Sequence, residues 1–160
     1  MLGSLTSEVQ SLEVRSLYDR DYALWIARTI AHLRNRNGSE LDWELVLEEF
    51  EDMGRRERRS LKSNLVILLL HLLKWEFQAE RRSGSWKGSI REHRQRLRDR
   101  LDESPSLRAY LQDIFATTYG DAVERAADET GLNLTAFPIA CPYDFEDVLA
   151  GNFLPGIEES

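Results

Sequence analysis

The chain has 160 residues, 42% of them hydrophobic and 31% charged, with a formal net charge of −7. That length suffices for one well-buried core and is short for two ordinary domains, and the composition is globular rather than disordered. The longest uninterrupted apolar run, Leu65 to Leu70, falls far short of the ~20 residues that cross a bilayer, so a soluble chain with no membrane partner is expected.

The charge is unevenly spread. From Arg55 to Arg100 fourteen Lys or Arg stand against five acids, a local +9, while the remainder is −16. Either the acidic flanks fold onto the basic middle, or a basic surface is left for an anionic partner. The opening residues MLGSLTSEVQSLEVRS carry acids and no long apolar run. They do not read as a secretory signal, and a cytoplasmic location is expected. Cys141 is the single cysteine. Without a disulfide or Cys-x-x-Cys partner it reads as a half-buried thiol near a turn.

Taken in chain order, residues 1–15 have weak periodicity and are expected to be a flexible leader, with residues 16–160 forming a single helical domain. A first helix is predicted from Ser16 to Asn37, with Tyr18, Tyr22, Trp25, Ile26, Thr29, Ile30 and Leu33 on one side, closed by Asn37-Gly38. Ser39 or Asp42 can cap the next helix, LDWELVLEEFEDM. There Trp43, Val46, Leu47 and Phe50 point one way, and Glu44, Glu48 and Asp52 share the other side. Met53-Gly54 is a plausible stop.

The central helix is then predicted over about 55–81. In its segment LKSNLVILLLHLLKWEFQ, apolar residues cover about two thirds of the helical circumference. A helix like that has to be enclosed by others. Ser85 can cap a fourth helix with a thin seam of Trp86, Ile90, His93, Leu97 and Leu101, the rest covered by arginines, which places it on the outside. Ser104-Pro105 starts a fifth, buried along Leu107, Leu111, Ile114, Phe115, Thr118, Ala122 and Ala126 and closed by Gly131. In the tail, prolines and glycines alternate with aromatics, predicting an extended segment across the bundle with one helical turn begun at Asp144. The fold class read from this pattern is all-α: a bundle of about five main helices around a central buried one.

Several segments carry a family likeness: YDRDYALW at Tyr18 to Trp25, LDWELVLEEFEDMG, LLHLLKWEFQAERRSGSW with Ile90-Arg91, SPSLRAYL at Ser104 to Leu111, and FPIACPYDFEDVL. In order and spacing they resemble the bacterial domain-of-unknown-function family numbered twenty-nine. The resemblance implies an all-helical fold. It supplies no activity, cofactor or partner, so it assigns no role to any residue.

The residues themselves offer three constellations. Glu44, Glu48 and Asp52 recur at every fourth position, a spacing that can hold a hard cation; ion pairing with Arg55, Arg56, Arg58 and Arg59 is the simpler reading. His71 lies on the narrow polar strip of the central helix. It either satisfies the core through a backbone carbonyl or a carboxylate, or acts as a base or metal ligand with Glu48 and Asp52. Neither His32, His71 nor His93 follows a Glu at the spacing that di-iron bundles use, and zinc, phosphate-loop and nucleophile-elbow motifs are absent. The arginine helix 86–101, with Arg91, Arg94, Arg98 and Lys87 toward solvent, can contact successive phosphates; Trp86 in that setting is a candidate for stacking on a base.

The leading expectation is a non-enzymatic interaction protein, binding a protein partner or itself, with no cofactor. The alternatives are a metal-assisted hydrolase or nuclease using Glu48, Asp52 and His71, and a nucleic-acid binder using the arginine helix. A deep pocket at the acidic helix would favour the enzyme, and an open apolar patch a protein partner.

Overall fold

The structure, a computed structural model, describes residues 12–19 and 22–156. Among the described residues there are seven helices and no strand: α1 over residues 12–19, α2 Tyr22–Arg34, α3 Trp43–Phe77, α4 Gly84–Glu103, α5 Leu107–Asp113, α6 Phe115–Thr130 and α7 Phe145–Leu149. The fold is all-α, as the periodicity predicts, and no helix among these residues is long and apolar enough to cross a membrane. Of the leader predicted at 1–15, residues 1–11 lie outside the described residues, and residues 12–15 belong to α1. The chain divides into two compact units, Met1–Arg55 and Arg56–Ser160.

The largest departure from the predicted elements is α3. It begins at Trp43, not near Arg55, and ends at Phe77, not Arg81. Asp42 caps it, its carboxylate accepting from the Leu45 N–H at 3.1 Å. Met53-Gly54 does not stop it. A helical glycine costs only ~1 kcal/mol, and strong helix formers on both sides outweigh that. Arg55 also bridges back to Glu51 and Asp52 at 3.5 and 2.5 Å, tying the turn around Gly54 together.

Smaller corrections concern caps. Ser83, not Ser85, caps α4 by accepting from the Trp86 N–H. Ser104 closes α4 through its N–H to the Arg100 carbonyl, and Pro105 lies in the turn before α5. The fifth predicted helix is parted at Ile114 into α5 and α6. Gly131 ends α6 as expected, at φ 73°. Asp144 starts α7 by accepting from the Glu146 N–H.

In the second unit Leu61, Leu65, Leu68, Leu69, Leu72 and Leu73 are enclosed, packed with Ile90, Leu97, Leu111, Ala122, Ala126 and Val148. Each buried leucine contributes about 1.5–3 kcal/mol relative to exposure. The tail is fixed by a buried cation. Arg94 donates to the carbonyls of Val148 at 2.8 Å, Gly151 at 3.3 Å and Phe153 at 2.8 Å. The guanidinium spreads its donors over three nitrogens, one to each carbonyl, whereas a lysine ammonium has to make all its bonds from one atom.

In the first unit the buried cluster among the described residues is Trp25, Leu45 and Val46, flanked by Val14, Leu17, Tyr18 and Ile26. Tyr18 packs edge-on to Trp25 at 5.0 Å and its hydroxyl donates to buried Glu49 at 2.7 Å. That bond offsets part of the cost of burying a carboxylate.

Candidate interaction surface

The acidic helix faces its core with a different side from the one predicted. Leu45, Val46 and Glu49 are buried, whereas Trp43, Leu47, Phe50 and Met53 are 56%, 61%, 63% and 52% exposed. Trp43, Leu47 and Phe50 were expected to point inward with Val46. The segment is apolar around more than half its circumference, so periodicity alone does not choose the buried arc. The Tyr18–Glu49 bond identifies it, because a carboxylate rather than an apolar residue supplies one of the inward positions.

Between α2 and the start of α3 runs an apolar groove of about 240 Å³, lined among others by Trp25, Ile30, Leu33, Val46, Phe50 and Met53. Ile30 and Leu33, predicted to share one side of the first helix with Trp25, line it and are 42% and 44% exposed. Trp43 is held in place by its indole N–H, which donates to the Gly38 carbonyl at 3.1 Å. An ordered aromatic that is more than half exposed loses little rotamer freedom on being covered, the property of interface anchors.

The proposed metal ligands are not gathered. Glu48 pairs with Arg15 at 3.1 Å and Asp52 with Arg55, both in the first unit. His71 belongs to the second unit, where its Nδ1 donates to the Ile67 carbonyl one turn back at 2.8 Å. Among the described residues no group of three His, Cys, Asp or Glu side chains is placed to hold a metal ion.

The arginine helix divides similarly. Arg91, Arg98 and Lys87 are exposed, but Arg94, expected toward solvent, is buried in the tail clamp. Burial pulls its guanidinium down to about 10, helped by Arg98 nearby, and it stays charged at neutral pH. The exposed cations Lys87, Arg91, Arg96, Arg98 and Arg100 are interleaved with Glu92, Asp99, Asp102 and Glu103. Arg96 pairs with Glu92 at 2.5 Å and Arg100 with Glu103 at 3.1 Å and Glu57 at 3.6 Å. Lys74 lies 4.7 Å over one face of the Trp86 ring, and its ammonium pairs with Glu129 at 2.6 Å. Lys62 pairs with Asp121 at 2.8 Å and Arg108 with Glu146. The basic stretch 55–100 is thus partly neutralised by acids of α6.

A second concavity of about 440 Å³ lies beside α6, bordered by Tyr119, Val123, Leu134, Phe137 and Pro138. Its titratable members, Tyr119 and Glu124, form no nucleophile–base pair. Burial pushes the Tyr119 phenol up to about 12, and its hydroxyl donates to the Pro138 carbonyl at 2.7 Å. Cys141 is half-buried, with its thiol raised chiefly by burial, which disfavours the reactive thiolate.

With the geometry in place, a family model, "Domain of unknown function DUF29", matches residues 17–154. The chain belongs to the DUF29 family. No curated protein and no solved structure matches it. For this DUF29 chain, function therefore has to be argued from its own surface.

Proposed function

We propose that this protein works by binding a protein surface, without chemistry of its own, through the apolar face of its first unit. The observation that carries the reading is the set Trp43, Leu47, Phe50 and Met53, four large apolar side chains each more than half exposed along three turns of α3. Together with the adjoining groove they make a continuous apolar surface, and such surfaces on soluble chains mark sites of association. An apolar groove beside an exposed helix is suited to an amphipathic helix laid along it. Catalysis has less support, since the acids and histidine available for it are engaged in ion pairs and a backbone bond.

The test is a photo-crosslinking amino acid placed at Leu47 in the full chain, in the cells that make it, with Gln95 on exposed α4 as control. The reading predicts a discrete protein adduct at position 47, absent at 95 and lost when Phe50→Glu is added. No adduct at 47, or equal labelling at both positions, would remove it.

A further inference from the structure

Along the sequence of α4 bases and acids alternate, but around the helix they separate. At roughly 100° per residue, Lys87, Arg91, Arg94 and Arg98 fall within an arc of about 60°. Glu92, Asp99 and Glu103 fall on a second arc centred about 130° away. There Arg96 pairs with Glu92, Arg100 with Glu103, and Gln95 donates to Asp99 at 2.6 Å.

The first arc keeps its charge. Arg94, midway along it, is 4% exposed and donates to three backbone carbonyls, so its cation is held without a carboxylate. Arg98 lies against the tail, one guanidinium nitrogen 3.1 Å from where a Cβ on Gly151 would be. Arg94 is lowered first by burial and then by Arg98, so the two charges are close. Among the described residues Lys87, Arg91 and Arg98 are exposed and make no ion pair. The acids flanking this arc are Asp102, one turn beyond Arg98, and Glu146 and Asp147 on α7. Glu146 pairs with Arg108, and neither of the other two pairs with a cation of the arc.

We propose that this arc is a contact surface for the phosphodiester backbone of a nucleic-acid duplex, with Lys87, Arg91 and Arg98 each meeting one phosphate. At ~1.5 Å per residue the three span about 16 Å of helix, a length over which a phosphodiester strand presents several charges. Arg94 adds field rather than a contact, since its donors are engaged by the tail. The surroundings favour this polyanion over a protein or a membrane, because α4 exposes no large apolar side chain. Protein interfaces centre on an apolar core and membrane-surface helices insert an apolar face, whereas nucleic-acid interfaces are polar and positive. The contacts are to phosphates, so binding is independent of base sequence. The chain's net charge of −7 opposes it, which makes the complex weak and confines it to low salt. The surface lies in the second unit, and the inference is independent of the apolar face of the first.

The test is fluorescence anisotropy of a labelled mixed-sequence DNA duplex titrated with the full chain, at ionic strengths from about 0.02 to 0.1 M. For three phosphates, log K should fall by about 2.7 per tenfold rise in salt. Two double variants that remove equal charge are compared, with circular dichroism on each. Arg91→Gln with Arg98→Gln should weaken binding at least about tenfold and cut the slope to about 0.9, the value for Lys87 alone. Arg96→Gln with Arg100→Gln, on the acid-paired side, should weaken it less than about threefold and keep the slope.

No wild-type binding at the lowest salt, or equal weakening by the two double variants, would overturn the proposal. Displacement of the duplex by poly-glutamate as readily as by unlabelled duplex would assign the surface to acidic protein segments instead. Unfolding of the Arg91, Arg98 variant would show these side chains to be internal partners, and Lys87→Gln, which should lower the slope by about 0.9, tests the surface separately.

Discussion

Along Leu61 to Phe77, α3 hides its leucines from solvent, while along Trp43 to Met53 the same helix leaves four of its largest apolar side chains open. Hydrophobicity does not separate the two stretches; the amount of covering structure does. In the second unit α4, α5, α6, α7 and the tail supply partners on most sides of the helix. In the first unit, among the described residues, three buried side chains make up the cluster and a wide arc is left uncovered. Apolar residues are used in one place to hold the fold and in the other to present a surface.

The contrast is broken most directly by truncation. Leu68→Ala or Leu72→Ala should cost about 2–5 kcal/mol in chemical denaturation, because each leaves a cavity in an enclosed site. Leu47→Ala in dilute solution should cost under about 0.5 kcal/mol. Comparable losses at all three positions would erase the distinction.

Next in size is the tail clamp. Arg94→Met removes three charge-assisted bonds and leaves the carbonyls of Val148, Gly151 and Phe153 without that donor. A loss of about 3 kcal/mol is expected, less than the sum of three such bonds. Faster amide exchange over residues 145–154 should accompany it. Arg91→Glu with Arg98→Glu should leave folding within about 0.5 kcal/mol of wild type. A fold indifferent to Arg94→Met would show that the tail does not depend on it.

Much of the second unit was legible in the sequence, and the reasons are physical. A helix apolar over two thirds of its circumference has to be enclosed, Gly131 is placed to close α6, and Asp144 is placed to cap α7. Arg94 was not legible as a clamp, because a cation within an arginine-rich helix looks like its exposed neighbours until the tail's carbonyls are located. The exposed face of α3 was hidden for the opposite reason. Trp43, Leu47 and Phe50 look like core residues, and only the bond from Tyr18 to buried Glu49 reveals which arc turns inward. His71 satisfies itself on the Ile67 carbonyl, a local bond that the wheel allowed without selecting.

Two pH dependences sharpen the account of the second unit. Tyr119 is raised by burial to about 12; Tyr143 is raised by burial and by its hydroxyl's bond to Glu76 at 2.5 Å. The unfolded phenols lose their protons near 10.0, before the folded ones do. Stability is therefore complete below that pH and falls as pH rises above it. A double Tyr119→Phe, Tyr143→Phe variant should show a flatter alkaline limb, and an unchanged limb would place these phenols in contact with water.

The smallest effect belongs to His93, lowered from 6.5 by burial and then by Arg96, with its Nδ1 donating to Asn64 Oδ1 at 2.8 Å. A folded value below the unfolded one means its contribution is present above pH 6.5 and lost as pH falls below it. His93→Gln should remove a shallow slope in that window, measured by denaturation at closely spaced pH values. An identical slope in the variant would assign it elsewhere.

The central claim, that one helix is core at one end and open surface at the other, is tested most directly by amide hydrogen exchange along α3 in the dilute full chain. Residues 61–77 should exchange only through global unfolding, and residues 43–54 at least about tenfold faster through local opening. Uniform protection from Trp43 to Phe77 would contradict the account.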